Sequence, residues 1–169
     1  MPLTWSVEGD VLKLGSLHLA VQRIGRSHWS AGLPLRSWGP APLHLEGVAL
    51  HLPCAADEAL WLGAWLEPDD APVPAVAVAL HDPALAATAR IVLPAQTQLA
   101  TLDGPDGPRP IVRDPQHPDA STRILELEVG DARARLTVVL EDPMAWAARA
   151  GRPPPPPLRG PPPLPPRLG

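Results

Sequence analysis

Two histidines and a glutamate form a pattern that would suit a metal. His44 and Glu46 lie two apart, so a strand would place them on one face, and His51 sits on the next segment. Imidazole and carboxylate bind a divalent cation only where three ligands converge. The spacing alone does not bring them together, so hydrogen-bonded structural histidines are the competing reading. His81-Asp82-Pro83 and His117-Pro118-Asp119 look like acid–base pairs on paper. Each Asp, however, is better used at a helix start or a turn.

Catalytic signatures are missing. The chain has no Gly-x-Ser-x-Gly, His-Glu-x-x-His, Cys-x-x-Cys, Walker loop or Gly-x-Gly-x-x-Gly. No catalytic residue is therefore assigned and no cofactor is implied. The single cysteine, Cys54, has no internal disulfide partner, and its apolar setting reads as a small buried hydrophobe.

Tryptophan is the next group able to make a site, because indole planes stack on sugars and prolines. Trp5, Trp61, Trp65 and Trp146 lie in apolar patterns and are expected in the core. Trp29 and Trp38 instead occur in Arg26-Ser27-His28-Trp29-Ser30 and Arg36-Ser37-Trp38-Gly39-Pro40, which read as loops. They would either line a ligand site, such as a glycan-binding face, or cap an end of the fold.

The C-terminus supplies the last candidate. Ten of the 17 residues from Pro153 to Gly169 are proline, which excludes helix and sheet interior and favours an extended polyproline II or disordered tail. Within it, Arg159, Pro162 and Pro165 fit Arg-x-x-Pro-x-x-Pro, while Pro162, Pro165 and Arg167 fit Pro-x-x-Pro-x-Arg. These are the two orientations of an SH3-type ligand, in which proline ridges enter aromatic grooves and arginine meets an acidic pocket. Any segment so rich in Pro and Arg matches easily, so a tail without a dedicated partner is the competing reading.

Charge separates this tail from the rest. Residues 1–148 carry 10 basic and 18 acidic side chains, hence −8, whereas residues 149–169 carry four arginines and no acid, hence +4. An acidic body repels phosphate and argues against nucleic-acid binding. A basic tail could also fold back onto that body. The sequence has no apolar run long enough to span a bilayer, and its start lacks the basic and apolar regions of a signal peptide, so a cytoplasmic location is the expectation. The 26 Pro and 6 Trp, with no Phe, Tyr or Asn and one Lys, follow G/C-rich coding and suggest a bacterial gene.

The elements that must position these residues are short. Proline in the body is about twice its usual ~5%, which favours strands and loops over long helices. If Gly130-Asp131 is a two-residue turn, Val129, Leu127 and Leu125 face Ala132, Ala134 and Leu136, while Glu128 and Glu126 face Arg133 and Arg135. Gly15-Ser16 similarly sets Leu14 against Leu17 and Leu12 against Leu19, with Trp5-Ser6-Val7 as a third strand. A break in alternation places a turn or bulge at Glu46-Gly47. Ala75–Leu80 and Arg90–Leu93 read as strands. Ala55–Leu66 fits a buried strand, which Ala75–Leu80 could pair with, or a helical stripe. Asp82-Pro83 and Asp142-Pro143 each read as the N-cap and first residue of a short helix.

The whole is expected to be an all-β domain over residues 1–150, a mainly antiparallel sandwich or partly open barrel of seven to nine strands with one or two short helices. A flexible Pro-rich tail follows over 151–169. The leading expectation of function is a non-catalytic interaction or assembly module whose tail tethers a protein partner. The Trp-lined glycan site is the alternative and the metal enzyme the third.

Overall fold

The computed structural model describes residues 4–32, 35–67, 75–114 and 121–160. Among them the chain forms thirteen strands and one α-helix: β1 Trp5–Glu8, β2 Val11–Leu14, β3 Leu17–Gly25, β4 His44–Glu46, β5 Ala49–Pro53, β6 Glu58–Leu66, β7 Val76–Asp82, β8 Ala87–Leu93, β9 Gln98–Leu99, β10 Leu102–Gly104, β11 Gly107–Arg109, β12 Thr122–Val129, β13 Ala132–Glu141 and α1 Pro143–Ala150. One sheet has the order β1-β2-β3-β6-β9 and the other β11-β10-β8-β7-β12-β13-β5-β4. This is a mostly β protein of two sheets, consistent with an all-β sandwich. It uses more strands than the seven to nine expected.

Alternation builds the core. In β12 and β13, Leu125, Leu127, Leu136, Val138 and Leu140 are buried, while Glu126, Glu128, Arg133 and Arg135 lie on the other face. Leu12, Leu14, Leu17, Leu19, Val21, Leu60 and Leu62 from the first sheet meet them in one cluster. Each such side chain contributes roughly 1.5–3 kcal/mol by leaving water, against the entropy of ordering the chain. The expected hairpins form in the expected registers: Val129 opposite Ala132 through Leu125 opposite Leu136, and Leu14 opposite Leu17 with Lys13 opposite His18. β4 and β5 form a hairpin that turns after Glu46, where Gly47 adopts a positive φ of 62°.

Four expectations change. Asp82-Pro83 does not start a helix. It begins the four-residue turn between β7 and β8, because the alternating Ala87–Leu93 is needed opposite Val76–Asp82. Ala55–Leu66 does supply a strand, β6, but β7 does not pair with it. β6 lies between β3 and β9, while β7 lies in the other sheet between β8 and β12. Trp65 is exposed, since it shares the outer parity of β6 with Gly63, and it meets His18 edge-on at 5.6 Å. Finally, the start of the Pro-rich segment is not free of the body, since Arg152 and Pro156 are both hydrogen-bonded to it.

The outer face of the first sheet carries a second small core of Ile24, Leu35, Ala59 and Trp61, covered by Trp29, Trp38, Ala100 and Val112. Among the described residues no helix is long and apolar enough to cross a membrane.

Candidate functional site

Helix α1 delivers the Pro-rich segment to the body. Asp142 caps its start by accepting from the N–H groups of Met144 (3.0 Å) and Ala145 (3.4 Å). Trp146 is fully buried and donates its indole N–H to the His51 carbonyl at 3.0 Å. Gly151, at φ 66°, closes the helix with a bond from its N–H to the Ala147 carbonyl at 2.9 Å.

The next residue is the first anchor. The Arg152 guanidinium donates to both oxygens of Asp10 (2.9 and 3.0 Å) and to the Leu43 carbonyl (3.2 Å), and it lies 5.5 Å from the centre of the Trp146 ring. A forked, charge-assisted pair of this kind fixes orientation as well as contact. Arg152 holds the Asp10 carboxyl below its ordinary range, helped by the Leu43 N–H and opposed by partial burial.

A second anchor lies at the end of the core. Arg23 and Glu58, both nearly inaccessible, form a buried two-point ion pair, and Arg23 Nη2 also donates to the Pro156 carbonyl at 2.8 Å. Proline offers acceptors and no donor, so an arginine donor is the partner it can use. Residues 152–156 thus run from the β1–β2 turn to the buried Arg23–Glu58 pair. The possibility that the cationic segment folds back onto the acidic body is realised at Arg152. Arg159 is exposed, while Pro162, Pro165 and Arg167 lie outside the described residues.

The metal candidates do come together, because His44 and His51 are register partners on β4 and β5. Both Nε2 atoms stand 3.9 Å from Glu46 Oε2, and the two rings are 6.1 Å apart. His51 Nδ1 pairs with Glu141, whose Oε1 also accepts from Arg149 Nε at 2.7 Å. Arg149 Nη1 lies 3.7 Å from Glu46 Oε2 and so supplies the positive charge between the two carboxylates. No group of three His, Cys, Asp or Glu among the described residues is arranged to hold a metal ion. His81 meets Thr88 and Glu126 at the surface, its neighbour Asp82 turns inward, and His117-Pro118-Asp119 lies outside the described residues.

Trp29 and Trp38 share one surface but use it for packing. Trp29 donates its indole N–H to the Ala100 carbonyl at 2.9 Å. Trp38 lies so close over Gly25 that an added Cβ would stand 2.9 Å from its ring. Both cover the outer face of the first sheet rather than an end of the fold.

Cys54 is buried, and burial raises its thiol to about 11, with Glu58 adding to the rise and Arg113 and Arg123 opposing it. It is a protonated core thiol, as expected, and not a nucleophile. Sequence reasoning missed Asp10, Arg23, Glu58, Glu141 and Arg149. Arg23 does follow the inner parity of Leu17, Leu19 and Val21, which was a legible sign of burial.

No family model matches this sequence, and comparison with curated proteins and with solved structures gives no match.

Proposed function

We propose that this protein is a non-catalytic interaction or assembly module in which the two-sheet body is a platform and the Pro-rich C-terminus tethers a protein partner. One observation carries the reading: residues 152–156 are pinned by Arg152 to Asp10 and by Arg23 to Pro156, so the chain leaves the body at a fixed point. A fixed exit confines the following Arg/Pro segment to a small volume and raises its effective concentration at the platform. Proline's fixed φ means that a Pro-rich segment loses little entropy on docking into an aromatic groove. Cys54, buried and protonated, lies in no catalytic signature and gives no support to a covalent mechanism.

The test is a titration of the full chain against a panel of purified SH3-type domains, beside the chain ending at Gly160 and the double substitution Arg159→Glu with Arg167→Glu. Saturable binding by the full chain, lost in both variants, is expected. Equal binding by all three, or none by the full chain, would remove the tail from the proposal.

A further inference from the structure

The seat that receives residues 152–156 is built from the body alone. Asp10, in the β1–β2 turn, accepts the Leu43 N–H at 3.1 Å, and the Arg152 guanidinium bridges that carboxylate and the Leu43 carbonyl. Arg23 on β3 is held by the buried Glu58 on β6, with its Nε donating at 3.3 Å, so its guanidinium is aimed before any carbonyl arrives. A braced carboxylate and a formed ion pair leave little to order on docking.

This seat selects one kind of segment. Arginine at the first position makes the forked pair with Asp10, and a proline four residues on presents a carbonyl to Arg23 Nη2 at 2.8 Å. Between them, Pro154 and Pro155 are half-buried. Polyproline II covers those four steps in roughly 12 Å with φ already fixed. Charge agrees, since the segment belongs to a stretch of +4 and the seat to a body of −8.

The segment is laid on the body and not woven into it. Pro153–Pro157 have no N–H, so no ladder can join them to either sheet. The first anchor lies near the surface, with the Arg152 and Asp10 side chains 44% and 31% exposed. The chain enters the segment through Gly151, a residue whose backbone can turn to other directions at no steric cost. A segment held in this way can leave without unfolding the body, and the same segment from another copy restores every contact it made.

We propose that the seat is an exchange site: residues 152–156 of a second copy of this chain dock on Asp10 and Arg23 in place of the chain's own, and two copies swap segments reciprocally. The inference rests on the docked segment that also carries the tethering role, and it gives the assembly role its partner. Swapping an identical element loses no contact. Its competitor is docking within one chain, at an effective concentration of about 1 mM for a short flexible link. Dimers therefore form where copies are concentrated or held side by side.

The experiment uses full chains carrying either Arg152→Asp or Asp10→Arg. Each variant alone sets like charges against each other, within one chain and between copies, and should sediment as a monomer. In an equal mixture the unaltered Arg152 of one chain meets the unaltered Asp10 of the other, and the reversed pair forms at the second seat. A one-to-one dimer is expected at chain concentrations of roughly 0.1–1 mM. A mixture that sediments as monomers overturns the proposal. Both variants keep Arg159, Pro162, Pro165 and Arg167, so their binding to SH3-type domains reports the tethering role separately. If either variant does not fold, the unmodified ¹⁵N-labelled chain decides. An excess of the blocked peptide acetyl-Arg-Pro-Pro-Pro-Pro-Pro-Leu-amide, above about 1 mM, should displace the chain's own segment and move the Arg152 amide resonance. Alanine in place of the peptide's arginine should weaken that effect at least about tenfold. No movement, or an equal effect of the two peptides, overturns the proposal.

Discussion

At Asp82-Pro83 the chain reverses within four residues and returns as β8, whereas at Asp142-Pro143 it continues as an eight-residue helix. In both places the Asp carboxylate accepts the next two free N–H groups: Ala84 and Leu85 in the first, Met144 and Ala145 in the second. The difference appears four residues after each Asp. Ala86 is exposed and adopts φ 50°, while Trp146 is fully buried with its indole N–H bound to His51. A capping signal therefore fixes where a turn begins, and an anchoring side chain one helical turn later decides whether it is extended. The surroundings differ as well. Asp82 lies inside the fold, 3.1 Å from Arg123 Nε, and Asp142 stays exposed with Arg113 3.8 Å away.

The strongest way to break this contrast is Trp146→Ala. Removing a fully buried indole costs roughly 3–5 kcal/mol. It also leaves the His51 carbonyl without its donor, a further penalty of about 1–3 kcal/mol. A urea unfolding curve should show a larger midpoint shift than Asp82→Ala, Asp142→Ala or Ala86→Gly produces, and the Arg152 contact with Asp10 should weaken with it. A loss under about 2 kcal/mol would mean that α1 does not depend on this anchor.

Asp82→Ala comes next. It removes a turn cap and the carboxylate that meets the buried Arg123 guanidinium, and breaking a buried pair costs about 3–5 kcal/mol. Burial already pulls Arg123 below its ordinary pKa, and Asp82 opposes that pull. Asp142→Ala, an exposed cap, should cost only about 1 kcal/mol. Similar losses at the two sites would show that capping, rather than the buried pair, dominates at Asp82.

Smaller and opposite in sign is Ala86→Gly. A residue with a side chain at φ 50° carries left-handed strain of about 1 kcal/mol, which glycine relieves in part. Thermal melts should show a slight rise. A fall would indicate that the β7–β8 turn gains more from limiting the unfolded chain than it loses to strain.

These two turns also mark the limit of what could be read from sequence. Hairpins were legible because period-two alternation and a two-residue turn fix a register together, as at Val129-Gly130-Asp131-Ala132. The sheet order was not legible, since β13 pairs in parallel with β5, more than 80 residues away, and no local pattern encodes such a contact. Arg123 shares the inner parity of Leu125 and Leu127, so its burial was implicit, yet its partner Asp82 depended on knowing that β7 lies beside β12. The candidate site divides in the same way. His44, Glu46 and His51 were visible as a group. The Glu141 and Arg149 that complete it come from a helix-bearing segment whose docking depends on Trp146.

The least costly test concerns the chain beyond the second turn. α1 ends at Gly151 and hands Arg152 to Asp10, a contact near the surface that can open without unfolding the body. Arg152 lowers the Asp10 pKa relative to an unfolded value of about 3.9. A depressed carboxylate stabilises the docked state above its unfolded pKa and loses that contribution as pH falls through the lower folded value. The Trp146 indole resonance, which senses Arg152 at 5.5 Å, should hold steady from pH 7 to about 5 and move only below about 4. Asp10→Asn should abolish that movement and loosen residues 152–156, while changing the unfolding free energy of the body by no more than about 0.5 kcal/mol. If it instead destabilised the whole fold, the segment after Gly151 would be part of the structural core. The contrast with Asp82 would then be one of position and not of purpose.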